Sequence, residues 1–253
     1  MNGRRSALQV VEGIDLSGRV CVITGASSGL GRESARALAA TGAHVVLTAR
    51  NEDALAQTAR WIGAEVPDAR VSTVPLDLTV LAGVRAAASA IRDIAPAIHV
   101  LMNNAGVMFT PFGRTGDGFE LQIGTNHFGH FELTRLLVPG LAAAGDARIV
   151  TLSSGGHVLG DVDFDDPNWE NREYDKFVAY GASKTANILH RSKPTDVCAG
   201  WESAPMPCIP ARWPLHLPDT CPSRISRSYA NTPTATSTWS CPNTVRPRRC
   251  GRR

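Results

Sequence analysis

Tyr180 and Lys184 lie four residues apart in a stretch of helical periodicity, so their side chains share one face. A lysine cation beside a phenol favours its charged form, which lets the hydroxyl exchange a proton with an alcohol or carbonyl oxygen near neutral pH. Upstream, Ser154 offers a hydroxyl that can donate to that same oxygen where negative charge develops, with Ser153 as its neighbouring rival. Taken singly these residues are unremarkable, an exposed helical pair and a loop serine. Their chemistry is persuasive only if the chain brings them together.

A second constellation stands near the start. Thr24-Gly25-Ala26-Ser27-Ser28-Gly29-Leu30-Gly31 follows an apolar strand-like run and opens directly into a helical pattern. Glycines at such spacing let the backbone turn sharply and approach a pyrophosphate, whose charge is met by N–H groups at the helix start. Further on, Leu47-Thr48-Ala49-Arg50-Asn51 ends a second strand-like run. A carboxylate for an adenosine ribose is missing at Ala49, and the Arg50 guanidinium suits a 2'-phosphate, which favours NADP over NAD. The other reading of Arg50 is a side chain stacked on adenine or turned to water.

The elements needed to position these groups alternate along the chain. Strands are expected at Val20–Thr24, His44–Thr48, Val71–Leu76, His99–Asn103 and Arg148–Leu152. Helices are expected at Leu30–Ala40, Asp53–Ile62, Leu81–Ile94, Gly118–Leu137 and Val178–Leu189. Five strands joined by right-handed crossovers make an α/β fold with a doubly wound parallel sheet, a Rossmann fold, ending at about the fifth strand and the tyrosine helix.

Taken in order, the motifs resemble the short-chain dehydrogenase/reductase family. They are the Thr24–Gly31 turn, Asp77 after the third strand, Asn103-Asn104-Ala105-Gly106 after the fourth, Asn126 in the next helix, Ser154 after the fifth, and Tyr180 with Lys184. The resemblance covers about residues 17–190 and implies a catalytic set of Asn126, Ser154, Tyr180 and Lys184, with Asn126 holding a water that links the lysine to solvent. It also implies cofactor contacts from Gly25, Ser27, Ser28, Gly29, Leu30, Gly31, Arg50, Asp77, Leu78, Asn104, Ala105, Gly106, Tyr180 and Lys184. The activity implied is hydride transfer between NADP and a small-molecule alcohol, aldehyde or ketone. The Asp163–Glu170 segment and Thr185-Ala186-Asn187-Ile188-Leu189 look like the retinol-dehydrogenase-like and WW-domain-oxidoreductase-like branch. Trp169 and Phe164 would line its substrate pocket or pin a surface loop.

With 43% hydrophobic residues and a formal charge of +3, the 253-residue chain is suited to one α/β domain. No apolar run is long enough to span a bilayer, and Arg4 and Arg5 have no apolar segment behind them, so the expected location is cytoplasmic. The arginines crowding the end, Arg246 to Arg253, lack the aromatic patterning of a nucleic-acid site. Cys198, Cys208, Cys221, Cys241 and Cys250 match no zinc spacing, so no metal is expected.

Three regions result: an arm at 1–16, an NADP-binding Rossmann catalytic domain at 17–193 that is incomplete, and an unpatterned tail at 194–253. Ten of the sixteen prolines fall in that tail, and prolines at this density interrupt both helix and strand. Disorder would account for the prolines but not for three tryptophans and five cysteines. A slipped reading frame accounts for both. Shifting the codons of Met206–Pro222 by one base permits Ala-Val-His-Pro-Gly-Thr-Val, which resembles the His-Pro-Gly segment expected after the tyrosine helix. The alternative to an active enzyme, which could still form homo-oligomers, is therefore a catalytically inactive nucleotide-binding remnant.

Overall fold

The computed structural model describes residues 5–192, and the tail at 194–253 with its reading-frame question lies outside the described residues. Strands β1 (Val20–Thr24), β2 (His44–Ala49), β3 (Arg70–Pro75), β4 (Val100–Asn103) and β5 (Arg148–Thr151) form one sheet in the order β3-β2-β1-β4-β5. All four pairings are parallel, with Val22 opposite both Val46 and Leu101. The expected doubly wound sheet is present, each strand within a residue of its expected bounds.

Period-two alternation along the central strands feeds two separate cores. Cys21, Ile23, Val45 and Leu47 pack on one face against helices α2 (Gly29–Ala40) and α3 (Glu52–Glu65). Val22, Val46 and Leu101 pack on the other against α4 (Leu81–Ile94) and a long helix carrying Leu133, Leu137 and Leu141. Burial pushes the Cys21 thiol up to about 11, so this thiol is a core hydrophobe rather than a nucleophile. The arm contains a short helix, α1 (Ala7–Val10), whose start is closed by reciprocal Ser6 and Gln9 bonds.

The helix expected over Gly118–Leu137 is built differently. It starts later, as α5 (Leu121–Ile123), because the Glu120 carboxylate caps it by accepting from the N–H groups of Gln122 (2.9 Å) and Ile123 (2.8 Å). A π-helical turn at Gly124–Phe128 follows, then α6 (Gly129–Ala143). α6 runs past the expected end at Leu137 and through Pro139, which forfeits a helical hydrogen bond without stopping a helix whose Leu137 and Leu141 are buried on either side. The last helix, α7 (Lys176–Ser192), begins two residues before the expected Val178 because Asp175 accepts from Phe177 N (2.7 Å) and Val178 N (3.2 Å).

The strand order reverses between β1 and β4, so the carboxyl ends of these strands leave a crevice at the switch point. Leu101 sits fully buried at the centre of the sheet beneath it. Leu101→Ala should lower the unfolding free energy by ~2–5 kcal/mol through a cavity that cannot collapse, measured by urea unfolding. Ile149→Ala on the 40% exposed edge strand should cost far less.

Candidate active site

β1 ends in Thr24, whose fully buried hydroxyl organises the crevice. Its oxygen accepts from the backbone N–H of Asn104 (2.9 Å) and Ala105 (3.0 Å), and lies 2.8 Å from Nε2 of His130 on α6. His130 Nδ1 faces the Asn126 carbonyl oxygen at 3.0 Å. A carbonyl can only accept, so Nδ1 carries the proton, Nε2 is bare, and the Thr24 hydroxyl donates to it. With one donor and two acceptor positions used, this hydroxyl has no capacity left. The Asn104 amide adds a bond to the Thr24 carbonyl (2.8 Å), closing the β4 loop over the Gly-rich turn.

The turn itself is tight. Gly25 has φ +67, and a Cβ on Gly31 would stand 2.3 Å from the Gly25 carbonyl oxygen and 2.5 Å from Asn104 Nδ2. Ser28, which precedes α2, makes no side-chain cap, so the N–H groups of the first turn remain open to an anion. Leu30 is 75% exposed at the tip, while Ser27 is held from behind through its carbonyl by Thr58 (3.3 Å). Arg50 is exposed at the end of β2. The Asp77 carboxylate accepts from the Thr79 N–H (2.9 Å) and hydroxyl (2.7 Å), which fixes its orientation. Leu78 turns its side chain into the core, and its carbonyl oxygen packs against Gly129 at the start of α6.

On the other side of the crevice, Asn126 sits in the π-helical turn, fully buried. Its side chain spans the loop after β4, accepting from Val107 N (2.8 Å) and donating to Val107 O (2.9 Å) and Ser183 Oγ (2.9 Å). Gly106 lies against it, since a Cβ there would meet Asn126 Oδ1 at 3.0 Å and Lys184 Nζ at 3.4 Å. Burial disfavours the Lys184 ammonium and lowers its pKa; Nζ stands 5.7 Å from the Tyr180 ring centre and 3.4 Å from the Leu152 carbonyl.

The two serines after β5 are differently employed. Ser153 donates to the Lys184 carbonyl (2.9 Å), tying its loop to α7. Ser154 caps a 3-10 turn at Gly155–Leu159, its hydroxyl accepting from Gly156 N (3.0 Å) and so keeping its own proton for another acceptor. Both Tyr180 Cε1 (2.8 Å) and Ser154 Oγ (3.4 Å) approach the point where a Cβ on Gly156 would stand, which brings the serine beside the tyrosine ring. Of the two aromatics expected near the substrate side, Trp169 is buried and stacks under Arg172 (3.8 Å) and beside Tyr174 (5.2 Å), pinning the loop, whereas Phe164 is 78% exposed.

The structure therefore gathers Asn126, Ser154, Tyr180 and Lys184 around one crevice and the Gly-rich turn at its other flank. Two residues of weight were not singled out from sequence. His130 sits one helical turn past Asn126, a spacing that could have flagged it, and Gly156 resembles any loop glycine until its distance to Tyr180 is known.

A doubly wound parallel sheet with a Gly-rich turn at its switch point defines the Rossmann class of fold, and comparison with known proteins gives it a family. The family model described as short chain dehydrogenase matches residues 19–191. The chain belongs to the short-chain dehydrogenase family. It is 41% identical over 174 residues to retinol dehydrogenase 13 of Homo sapiens, covering 69% of this chain and 53% of that protein. The chain thus spans about half the length of the curated relatives it matches. Among solved structures, an uncharacterized protein from Mycobacterium Paratuberculosis shares 39% identity with a TM-score of 0.67, covering 78% of this chain and 68% of that one. A metagenomic short-chain oxidoreductase in complex with NADP shares 28% identity with a TM-score of 0.58, covering 73% of this chain and 78% of that one.

His130 generates a pH prediction. Complete burial, reinforced by the Lys184 and His127 charges and opposed by the Asn126 carbonyl, lowers its pKa from 6.5 to about 4. Because the folded pKa is depressed, the unfolded chain takes up the proton first as pH falls. The stability tied to neutral His130 is complete above pH 6.5 and is lost progressively down to about pH 4. The loss is on the order of 3 kcal/mol. Stepped-pH urea unfolding should show it, and His130→Gln, which keeps an acceptor near the Nε2 position but does not titrate, should flatten that part of the profile.

Proposed function

We propose that the chain is an NADP-dependent short-chain oxidoreductase that interconverts a small-molecule alcohol with its aldehyde or ketone. Carrying this reading is the placement of Ser154, with its proton uncommitted, beside the buried Tyr180 ring, across the crevice from the uncapped start of α2. At Gly25 and Gly31 a Cβ would clash with the loop after β4 and with the turn itself, so glycine there supports the tight path that aims backbone N–H groups at a pyrophosphate.

Ser27, Ser28, Gly29 and Leu30 complete the phosphate side, Arg50 takes the 2'-phosphate, Asp77 and Leu78 border the adenine, and Asn104, Ala105 and Gly106 face the ribose and nicotinamide. When bound, the dinucleotide supplies or takes up a hydride. In the reductive direction Tyr180 gives a proton to the substrate oxygen, while Ser154 donates a hydrogen bond to it as negative charge develops. Lys184, a cation burdened by burial, gains from a phenolate on the same helix face, and Asn126 holds the Val107 backbone and the water path behind it.

We place the enzyme in the cytoplasm, with residues 17–193 as its incomplete catalytic domain and homo-oligomers open to the intact protein. Among the described residues no helix is long and apolar enough to cross a membrane. A second reading, a nucleotide-binding remnant without turnover, is favoured by a family match that stops at residue 191 while the chain continues to 253. NADP titration run in parallel with turnover assays separates the two: binding without turnover supports the remnant. The nucleotide sequence around codons 185 to 200 tests the frame slip directly.

Arg50→Ala should weaken NADP binding by ~1–3 kcal/mol, the range of a charge-assisted hydrogen bond, and barely change NAD binding. Equal losses for both dinucleotides, read by fluorescence titration, would remove Arg50 from the phosphate site. Tyr180→Phe should leave NADP binding intact and lower turnover by at least ~100-fold, the scale of a general acid-base group. Unchanged turnover would assign the proton to another residue.

A further inference from the structure

Three non-glycine residues among those described have a positive φ, and two of them, Phe109 (φ 56) and Trp169 (φ 60), are linked by one buried polar network. A bulky side chain rarely adopts this backbone conformation, and it persists only where surrounding contacts impose it. At Phe109 the contact is a hydrogen bond from its N–H to Oε1 of the fully buried Gln122 (2.9 Å). The Gln122 amide donates to the Tyr174 hydroxyl (2.8 Å) and the Lys176 carbonyl (2.9 Å). The same Tyr174 hydroxyl donates to the fully buried Glu120 carboxylate (3.0 Å), which already caps α5. The Glu120 N–H in turn donates to Asn168 (3.0 Å), beside Trp169.

Both donor positions of Gln122 are thus employed, and its carbonyl oxygen accepts from Phe109, whose backbone lies in the left-handed region. The consequence is read at the Phe109 ring. It packs at 5.1 Å and 70° against Tyr180 and at 4.7 Å against Phe177. Tyr180 is therefore contacted both by Gly156 and by Phe109, and neither contact is hydrophobic core in the ordinary sense, since Phe109 is only half-buried and Gly156 belongs to the 3-10 turn after β5.

We propose that Phe109 is a positioning residue for Tyr180: the Glu120–Gln122–Tyr174 network holds Phe109 in its left-handed conformation so that its ring fixes the orientation of the tyrosine ring. The inference rests on the reading of Tyr180 as the proton-transfer group for its functional meaning, but its geometry can be measured without turnover. The network reaches the tyrosine by two routes, through Phe109 and through the Lys176 carbonyl at the start of α7, so Phe109→Ala, which leaves the second bond in place, isolates the first.

The test uses the full chain labelled with 3-fluorotyrosine, the Tyr180 fluorine signal being assigned by its disappearance in Tyr180→Phe. A held ring flips slowly and gives two fluorine signals for its two orientations. Phe109→Ala, and independently Gln122→Leu, should merge them into one averaged line, while Phe109→Trp, which keeps an aromatic ring without adding a labelled tyrosine, should keep them apart. Thermal unfolding of each variant checks that the fold is retained. A single averaged line in the unsubstituted chain, or two lines that persist in both Phe109→Ala and Gln122→Leu, would overturn the proposal. Carbonyl reduction is followed in the same samples, where the variants should lower kcat by about tenfold to 100-fold and leave KM for NADPH unchanged. Split signals without turnover keep the positioning of Tyr180 and defeat the oxidoreductase reading. Turnover with an averaged ring does the reverse.

Discussion

The crevice depends on one saturated hydroxyl. Thr24 Oγ1 accepts two backbone N–H groups from the loop after β4 and donates to a neutral imidazole from α6, so a single atom ties together β1, β4 and the helix that carries Asn126. A buried hydroxyl left short of partners would cost free energy. The Gly-rich turn can approach the β4 loop as closely as it does because this bond set holds that loop in place. Serine at this position could make the same bonds, whereas valine would keep the shape and break all of them.

Charge follows from the same arrangement. His130 must be neutral for Thr24 to donate to it, and burial together with the nearby Lys184 makes the cation unfavourable. Lys184 is itself desolvated, with only a long contact to the Leu152 carbonyl. One neutral imidazole and one desolvated ammonium thus flank Asn126, and the ammonium is short of a counter-charge. Two places can receive a negatively charged group: the space beside Lys184 Nζ, 5.7 Å from the Tyr180 ring centre, and the uncapped start of α2. Lys184 is the counter-charge for the first and backbone N–H groups for the second, so the two flanks of the crevice do not compete for one cation.

Much of this was legible in the sequence, for physical reasons that differ by element. β1 and α4 were placed to the residue because β-branched runs and an uninterrupted amphipathic period announce them. The helix from Leu121 was not, because its start is set by a carboxylate cap that reads as an ordinary acidic residue and its π-helical turn leaves no periodic trace. Ordered motifs pointed to Ser154, Tyr180 and Lys184, since their spacing carries the chemistry. His130, Gln122 and Phe109 were silent, because what distinguishes them is a tautomer, a set of buried hydrogen bonds and a backbone angle, none of which a one-dimensional pattern records.

The edge of the sheet ties the fold to the site. Among the described residues β5 pairs with β4 alone, and its Ile149 is 40% exposed, unlike the apolar residues at the centre of β1 and β2. Ser153 and Ser154 follow directly from that strand, so the serine beside Tyr180 is supported on the least buried member of the sheet. What steadies it instead is α7: Ser153 donates to the Lys184 carbonyl, Asn187 to the Leu152 carbonyl, and Thr185 to the carbonyls of His157 and Gly160. Four side-chain bonds from one helix and its loop thus do for β5 what a neighbouring strand does elsewhere in the sheet. The same helix carries Tyr180 and anchors the loop of Ser154, so loosening the β5 edge would shift serine and tyrosine together relative to the Gly-rich turn before it separated them.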